Sequence, residues 1–340
     1  MSTDAVAVIG FISLFVLMML RVPVGIAMGT VGVLGFGYLI GDIGPALKLL
    51  AQSPIRTATD AEFAVIPLFL LMGAFASSSG MSRELFRASN TFLGHLRGGL
   101  GIATIAACGG FAAICGSSVA TAATFSKVAY PEMRAHGYPQ SFATGVIAAG
   151  GSLGIMIPPS TVFAVYGLIT EQDIGKLFIA GVVPGILAVG MYILTINIIA
   201  LVRPDFLPRT PRHSWRERLD AMRDIWAVVL LFVFIIGGLY AGMFTATEAA
   251  GMGAAGAFII AVLRRKLSRA EFMRSLIESL RTTASVFTIL IGALIFGYFL
   301  TITQTPQKLT EFLTGLGFGS YGVLILIMLM YLLLGCINRS

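Results

Sequence analysis

Apolar residues gather in long runs separated by short polar stretches. The runs fall at residues 5–20, 24–41, 62–80, 98–132, 140–170, 176–202, 224–243, 246–263, 282–303 and 319–337. A stretch of about 20 apolar residues reads as a membrane-spanning helix. Two runs do not fit one straight span. The 98–132 run is too long for one crossing and carries Gly116-Ser117-Ser118 near its middle, so it predicts a helix–turn–helix hairpin. The 140–170 run is interrupted by Pro158-Pro159 after Gly150, Gly151 and Gly154, so it predicts a broken helix.

Polar stretches refine the picture. Segments 43–57 and 267–281 are amphipathic. The second predicts a helix along a membrane interface, with Ser268 as its cap and Glu271 three positions on. Segment 306–316, PQKLTEFLTGL, predicts a short interfacial helix. The opening residues lack a basic start and carry Asp4, so they read as a first membrane helix and not as a removable signal.

Composition agrees with this class. Of 340 residues, 57% are hydrophobic and 11% charged, against about 25% charged in a soluble domain. The net charge of +7 is a loop signature and not a nucleic-acid signal. Arg203, Arg209, Arg212, Arg216, Arg218 and Arg223 crowd one loop; Arg264, Arg265, Lys266, Arg269, Arg274 and Arg281 crowd another. Two spans separate these loops, so both are expected on the cytoplasmic side. Counting backward with the hairpin as an even element places Arg134, Arg97, Arg87, Arg83 and Arg21 inside as well. The hairpin is then expected to insert from the cytoplasm, with the N-terminus periplasmic. The 319–337 run would insert from the opposite side. That inverted pairing, together with the short likeness of SRELF (82–86) to SRAEF (268–272), hints at an inverted repeat.

Catalysis finds little support. His95, His136 and His213 lie in loops, the acidic residues lie at span ends or in loops, and there is no Walker A or HExxH motif. Cys108, Cys115 and Cys336 read as buried small residues. Glu248 lies closest to a membrane interior, but Thr245-Ala246-Thr247-Glu248 has capping-box spacing. Gly98-Gly99 and Gly109-Gly110 read as close-packing positions.

Two neutral polar clusters remain: Gly116, Ser117 and Ser118 at the hairpin tip, and Gly151, Ser152, Gly154, Ile157, Pro158, Pro159 and Ser160 at the break. Prolines free upstream carbonyls, and carbonyl and hydroxyl oxygens are hard ligands suited to Na⁺. A helix starting near Ser160 would direct its positive end at an anionic group. These residues are the candidate cation- and substrate-binding set.

With those motifs in view, the chain resembles the large membrane subunit of TRAP (tripartite ATP-independent periplasmic) transporters. The resemblance is carried in order by RVPV (21–24), IPLFLLMG (66–73), LRGGL (96–100), GSSVA (116–120), YPEM (130–133), GIMIPPS (154–160), LFIAGVVPG (177–185) and FTATEAA (244–250). It implies an all-α polytopic membrane protein of the bacterial inner membrane: an inverted-repeat, elevator-type secondary transporter with re-entrant hairpins and a broken helix. It implies Na⁺-coupled import of organic acids such as dicarboxylates, keto acids or sialic acids, with Na⁺ as the coupling ion and no cofactor. The implied partners are a small TRAP membrane subunit and a periplasmic substrate-binding protein.

On this reading residues 1–97 are mainly scaffold helices, and 98–170 are the first hairpin and broken helix of the transport part. Residues 171–223 are a scaffold helix and basic loop, 224–317 are second-half spans, and 318–340 begin a second hairpin. The resemblance also implies a continuation past Gly335, where the chain reads Cys336-Ile337-Asn338-Arg339-Ser340. The expectation is a polypeptide truncated at the second hairpin that does not transport alone. Two alternatives stay open: a non-transporting membrane fragment, and a different Na⁺/dicarboxylate carrier family with similar hairpins.

Overall fold

The computed structural model describes residues 2–203, 206–315, 317 and 319–337. Every regular element among them is helical, as the apolar runs require: in hydrocarbon a helix satisfies its own backbone. The chain divides into two units, Met1–Thr59 with Val286–Ser340, and Asp60–Ser285.

The first unit holds α1 (Thr3–Met19), α2 (Val24–Ile40) and α3 (Ile43–Thr59), with the later part of α14 (Arg269–Ile302), α15 (Thr305–Gly315) and α16 (Ser320–Ile337). Its core joins Val6, Leu14, Ala27 and Val31 to Phe296 and Phe299. The crossing of α2 with α14 depends on missing side chains. A Cβ on Gly25 would stand 2.3 Å from the Thr288 carbonyl oxygen, and one on Gly292 would stand 2.0 Å from that of Gly25. The expected tip of a second hairpin, at 338–340, lies outside the described residues.

The second unit opens with a 3₁₀ turn, Ala61–Ala64, and continues with α4 (Val65–Ser78), α5 (Met81–Leu93), α6 (Gly99–Cys115), α7 (Ser118–Ala135), α8 (Gln140–Met156), α9 (Thr161–Thr170), α10 (Ile174–Val202), α11 (Trp215–Asp224), α12 (Trp226–Tyr240) and α13 (Ala246–Leu263). The stretch 81–93 is too polar to count as an apolar run. It folds because Met81, Leu85, Phe86 and Ala88 share a buried side while Arg83 and Arg87 stay exposed. The interfacial segment expected at 267–281 is helical and capped by Ser268, which exchanges hydrogen bonds with Glu271. It runs on without a break into the next apolar run, because neither Gly nor Pro stands between residues 269 and 291.

Among the described residues five helical stretches are long and apolar enough to cross a membrane, or six when the bent pair α11–α12 serves as one span. Helices α1, α2 and α6 are apolar and 17 residues long, about 26 Å at 1.5 Å per residue.

The basic helix ends of the second unit meet on one face. Arg264 donates to Glu84 at 2.5 Å, with both side chains mostly covered, and Lys266 approaches the same carboxylate at 3.7 Å. Arg87 pairs with Asp224 at 3.1 Å. Tyr138, buried after α7, donates from its hydroxyl to the Pro208 carbonyl at 2.8 Å. The start of α5, the end of α13 and the end of α11 therefore lie together, and the turn after α7 lies against Pro208 ahead of α11.

Candidate transport site

Helices α6 and α7 double back on one another. Phe111 meets Phe125 edge to face at 5.8 Å, and Thr104 reaches the Met133 sulfur at 3.8 Å, so the contacts run in opposite sequence directions. Two residues make the turn. Gly116 closes α6 at φ +61°, a left-handed conformation that glycine adopts freely. Ser117 caps α7, accepting from the Ala120 N–H at 3.4 Å. The Ser117 carbonyl accepts from both the backbone and the hydroxyl of Thr121.

The expected break is also present. Helix α8 ends at Met156, the chain is extended at Ile157, and Ser160 caps α9. Pro158 and Pro159 offer no N–H, so the carbonyls of Gly154 and Ile155 lose their ordinary helical donors. The buried Ser160 hydroxyl replaces one of them by donating to the Ile155 oxygen at 2.7 Å.

Tip and break are joined. The Gly116 carbonyl accepts from the Thr161 N–H at 3.3 Å and from the Thr161 hydroxyl at 2.9 Å. A Cβ at Gly116 would stand 2.7 Å from the Pro159 oxygen. On α8, a Cβ at Gly154 would meet the Ser117 carbonyl oxygen at 2.5 Å, and one at Gly151 would meet Ala122 Cβ at 2.7 Å and the Ser118 oxygen at 3.2 Å. Bare glycine backbone lets the hairpin settle onto the broken helix.

Gly116, Ser117, Ser118, Gly151, Gly154, Pro158, Pro159 and Ser160 therefore occupy one junction. Two predicted residues turn elsewhere. Ile157 packs toward α10, where a Cβ on Gly185 would lie 2.8 Å from its side chain. Ser152 donates to the Ala149 carbonyl at 2.7 Å and bonds the Tyr192 hydroxyl of α10 at 3.0 Å. At about 100° per residue, Ser152 lies roughly 100° around α8 from Gly151 and roughly 160° from Gly154. The glycine side faces the tip, and the Ser152 side faces α10.

Thr161 stands only at the edge of the second cluster in sequence, yet it makes the joining bonds. Its partner lies 45 residues away, and no local pattern marks such a pairing. Tyr192 gives no signal at all within an apolar run.

The junction gathers four helix ends. The C-terminal ends of α6 and α8 present carbonyl oxygens and partial negative charge; the N-terminal ends of α7 and α9 present N–H groups and partial positive charge. Oxygen-rich ends suit a small hard cation, and amide-rich ends suit a carboxylate. The contacts described at the junction are made by backbone and hydroxyl groups. Glu248 stays apart, accepting from the Thr245 N–H and hydroxyl at 2.9 Å each in the expected capping box. Cys108 and Cys115 are buried thiols, as expected.

The family model described as tripartite ATP-independent periplasmic transporter, DctM component, matches residues 11–338. The chain belongs to this family. It is 40% identical over 291 residues to the C4-dicarboxylate TRAP transporter large permease protein DctM of Pseudomonas aeruginosa, covering 85% of this chain and 68% of that protein. It is 31% identical over 327 residues to the ectoine/5-hydroxyectoine TRAP transporter large permease protein UehC of Ruegeria pomeroyi, covering 96% and 76%. It is 29% identical over 319 residues to the sialic acid TRAP transporter large permease protein SiaM of Vibrio cholerae, covering 94% and 74%. The hairpin and broken helix are thus parts of a TRAP large permease, a multi-pass membrane transport protein and not an enzyme.

Proposed function

We propose that this TRAP large permease works in a Na⁺-coupled importer of organic acids in the bacterial inner membrane. The observation that carries the reading is the closed junction between the hairpin tip and the broken helix. Its carbonyl-rich ends would hold Na⁺, with Ser117, Ser118 and Ser160 at the site. Its amide-rich ends would face the substrate carboxylate. Relatives named for C4-dicarboxylates, sialic acid and ectoines support the carboxylate class.

In this reading the basic face of the second unit is cytoplasmic. The hairpin and broken helix move as one elevator body, since Thr161 and the α8 glycines bind them together. A periplasmic binding protein delivers the substrate, and a small membrane subunit completes the permease.

The test is uptake in proteoliposomes carrying the permease with its small subunit. Labelled C4-dicarboxylate, sialic acid and ectoine are offered through the cognate binding protein, with Na⁺ or choline outside. Uptake of one substrate should require Na⁺. Ser117→Ala should raise the half-saturating Na⁺ concentration about tenfold, equivalent to about 1.4 kcal/mol. Uptake indifferent to Na⁺ would refute the coupling, and an unchanged Na⁺ midpoint in Ser117→Ala would remove the tip from the cation site.

A further inference from the structure

The hydrogen bond between α8 and α10 has a direction. The one hydroxyl proton of Ser152 goes to the Ala149 carbonyl at 2.7 Å, so in the 3.0 Å contact Tyr192 is the donor and Ser152 Oγ the acceptor. This bond sits in the penultimate turn of α8, between Gly151 and Gly154, the two residues pressed on the hairpin tip. It lies on a different side of the helix from them. Any rotation of α8 about its axis would stretch the bond and move the Gly151 and Gly154 backbone off the tip.

Around Tyr192 packing is weak. Its ring lines an open groove of about 240 Å³ with Ser141, Gly145, Ala149 and Thr195, and a Cβ on Gly190 or Gly145 would meet nothing within 4 Å. At this level the phenol–serine bond is the polar tie between α8 and α10. Close packing of the two resumes only at the end of α8 and past it, where a Cβ on Gly181 would stand 3.1 Å from the Met156 oxygen and one on Gly185 2.8 Å from the Ile157 side chain.

We infer that Tyr192 is a positioning residue for the cation site, setting through Ser152 the rotation of α8 that presents its carbonyl end to the hairpin tip. The inference rests on the Na⁺ reading of the junction. Without the bond, α8 samples rotations that do not bind the ion, and the apparent affinity falls by the fraction of time spent in the competent one.

The experiment uses NaCl as the probe and the detergent-purified protein with its partner subunit. Thermal unfolding is followed as choline chloride is replaced by NaCl at constant ionic strength. Bound Na⁺ raises Tm with a midpoint that reports its affinity. Tyr192→Phe keeps the ring and should move that midpoint up about fivefold, which is about 1 kcal/mol at 1.4 kcal/mol per factor of ten. Ser152→Ala should move it similarly, the double variant should move it no further, and Ser152→Thr should restore the wild-type midpoint. A purely structural tyrosine would lower Tm equally in both salts and leave the midpoint in place, which overturns the inference. So would additive midpoint shifts in the double variant. A wild-type protein whose Tm ignores Na⁺ overturns the Na⁺ reading, and the inference with it; a wild-type response with an unmoved Tyr192→Phe midpoint overturns the inference alone.

Discussion

Gly154→Ala tests the docking of hairpin on broken helix through one methyl group. The added carbon would lie 2.5 Å from the Ser117 carbonyl oxygen, 2.7 Å from its carbon and 2.9 Å from the Ser118 nitrogen. To restore ordinary contact the tip must retreat by about 1 Å. All three atoms are backbone, so no side chain can swing aside. Overpacking of this kind costs about 1–3 kcal/mol, against a helix-propensity gain of about 1 kcal/mol for replacing glycine. The net expectation is a loss of up to about 2 kcal/mol, a Tm decrease of up to roughly 4–8 °C for a unit of this size.

Gly145→Ala is the matched control. It lies on the same helix, and its new methyl would meet nothing within 4 Å. It should gain up to about 1 kcal/mol and raise Tm by roughly 2–4 °C. Differential scanning fluorimetry of both variants, with Na⁺-dependent uptake alongside, reads the contrast. Gly154→Ala should lose both stability and uptake. Wild-type Tm and uptake in Gly154→Ala, or equal damage in Gly145→Ala, would refute the claim that glycine backbone seats the tip.

In the first unit, Gly292→Ala should destabilise strongly, since its methyl would meet the Gly25 oxygen at 2.0 Å, whereas Gly29→Ala, whose nearest neighbour is 3.8 Å away, should be tolerated; limited proteolysis of the two variants separates them. Glu84→Gln leaves Arg264, 14% exposed, without its carboxylate, and should cost roughly 1.5–3 kcal/mol in thermal unfolding; rescue by raised salt alone would argue against a covered pair. The Ser214 backbone N–H, followed by its hydroxyl, holds the exposed Glu217 carboxyl below its usual range. The folded value is depressed, so the contribution of this cap is present above the unfolded carboxylate value and is lost as pH falls through the folded one. In a Trp226→Phe background, the fluorescence of Trp215 should therefore titrate at lower pH than in Ser214→Ala; coincident titrations would refute the assignment.

Much of the fold is legible because membrane helices announce themselves by apolar length. The hairpin follows from a run too long for one span with a Gly-Ser-Ser in its middle, and the break follows from Pro158-Pro159. The capping residues Thr245, Glu248, Ser268 and Glu271 are read from spacing alone, because a cap is a contact within four residues. What escapes has a common cause. Helix α5 owes its place to burial of one side in a polar stretch, which an apolar scan passes over. Thr161 reaches its partner across 45 residues. Ser152 looks like a site residue beside Gly151, but one helical step turns it to Tyr192, and only the packed position of α10 decides that.

The bond from Thr161 to Gly116 also bears on how the protein is made. At about 5–20 residues per second of synthesis, Thr161 emerges roughly 2–9 s after the glycine whose carbonyl it completes. A backbone acceptor left without a donor in hydrocarbon is costly. During that interval the hairpin is best kept at the membrane surface or in the insertion machinery, where water or another donor serves the carbonyl. Release into lipid then waits for α9. A pause in translation between residues 116 and 161 is therefore expected to leave the Gly116 carbonyl without its donor for as long as it lasts.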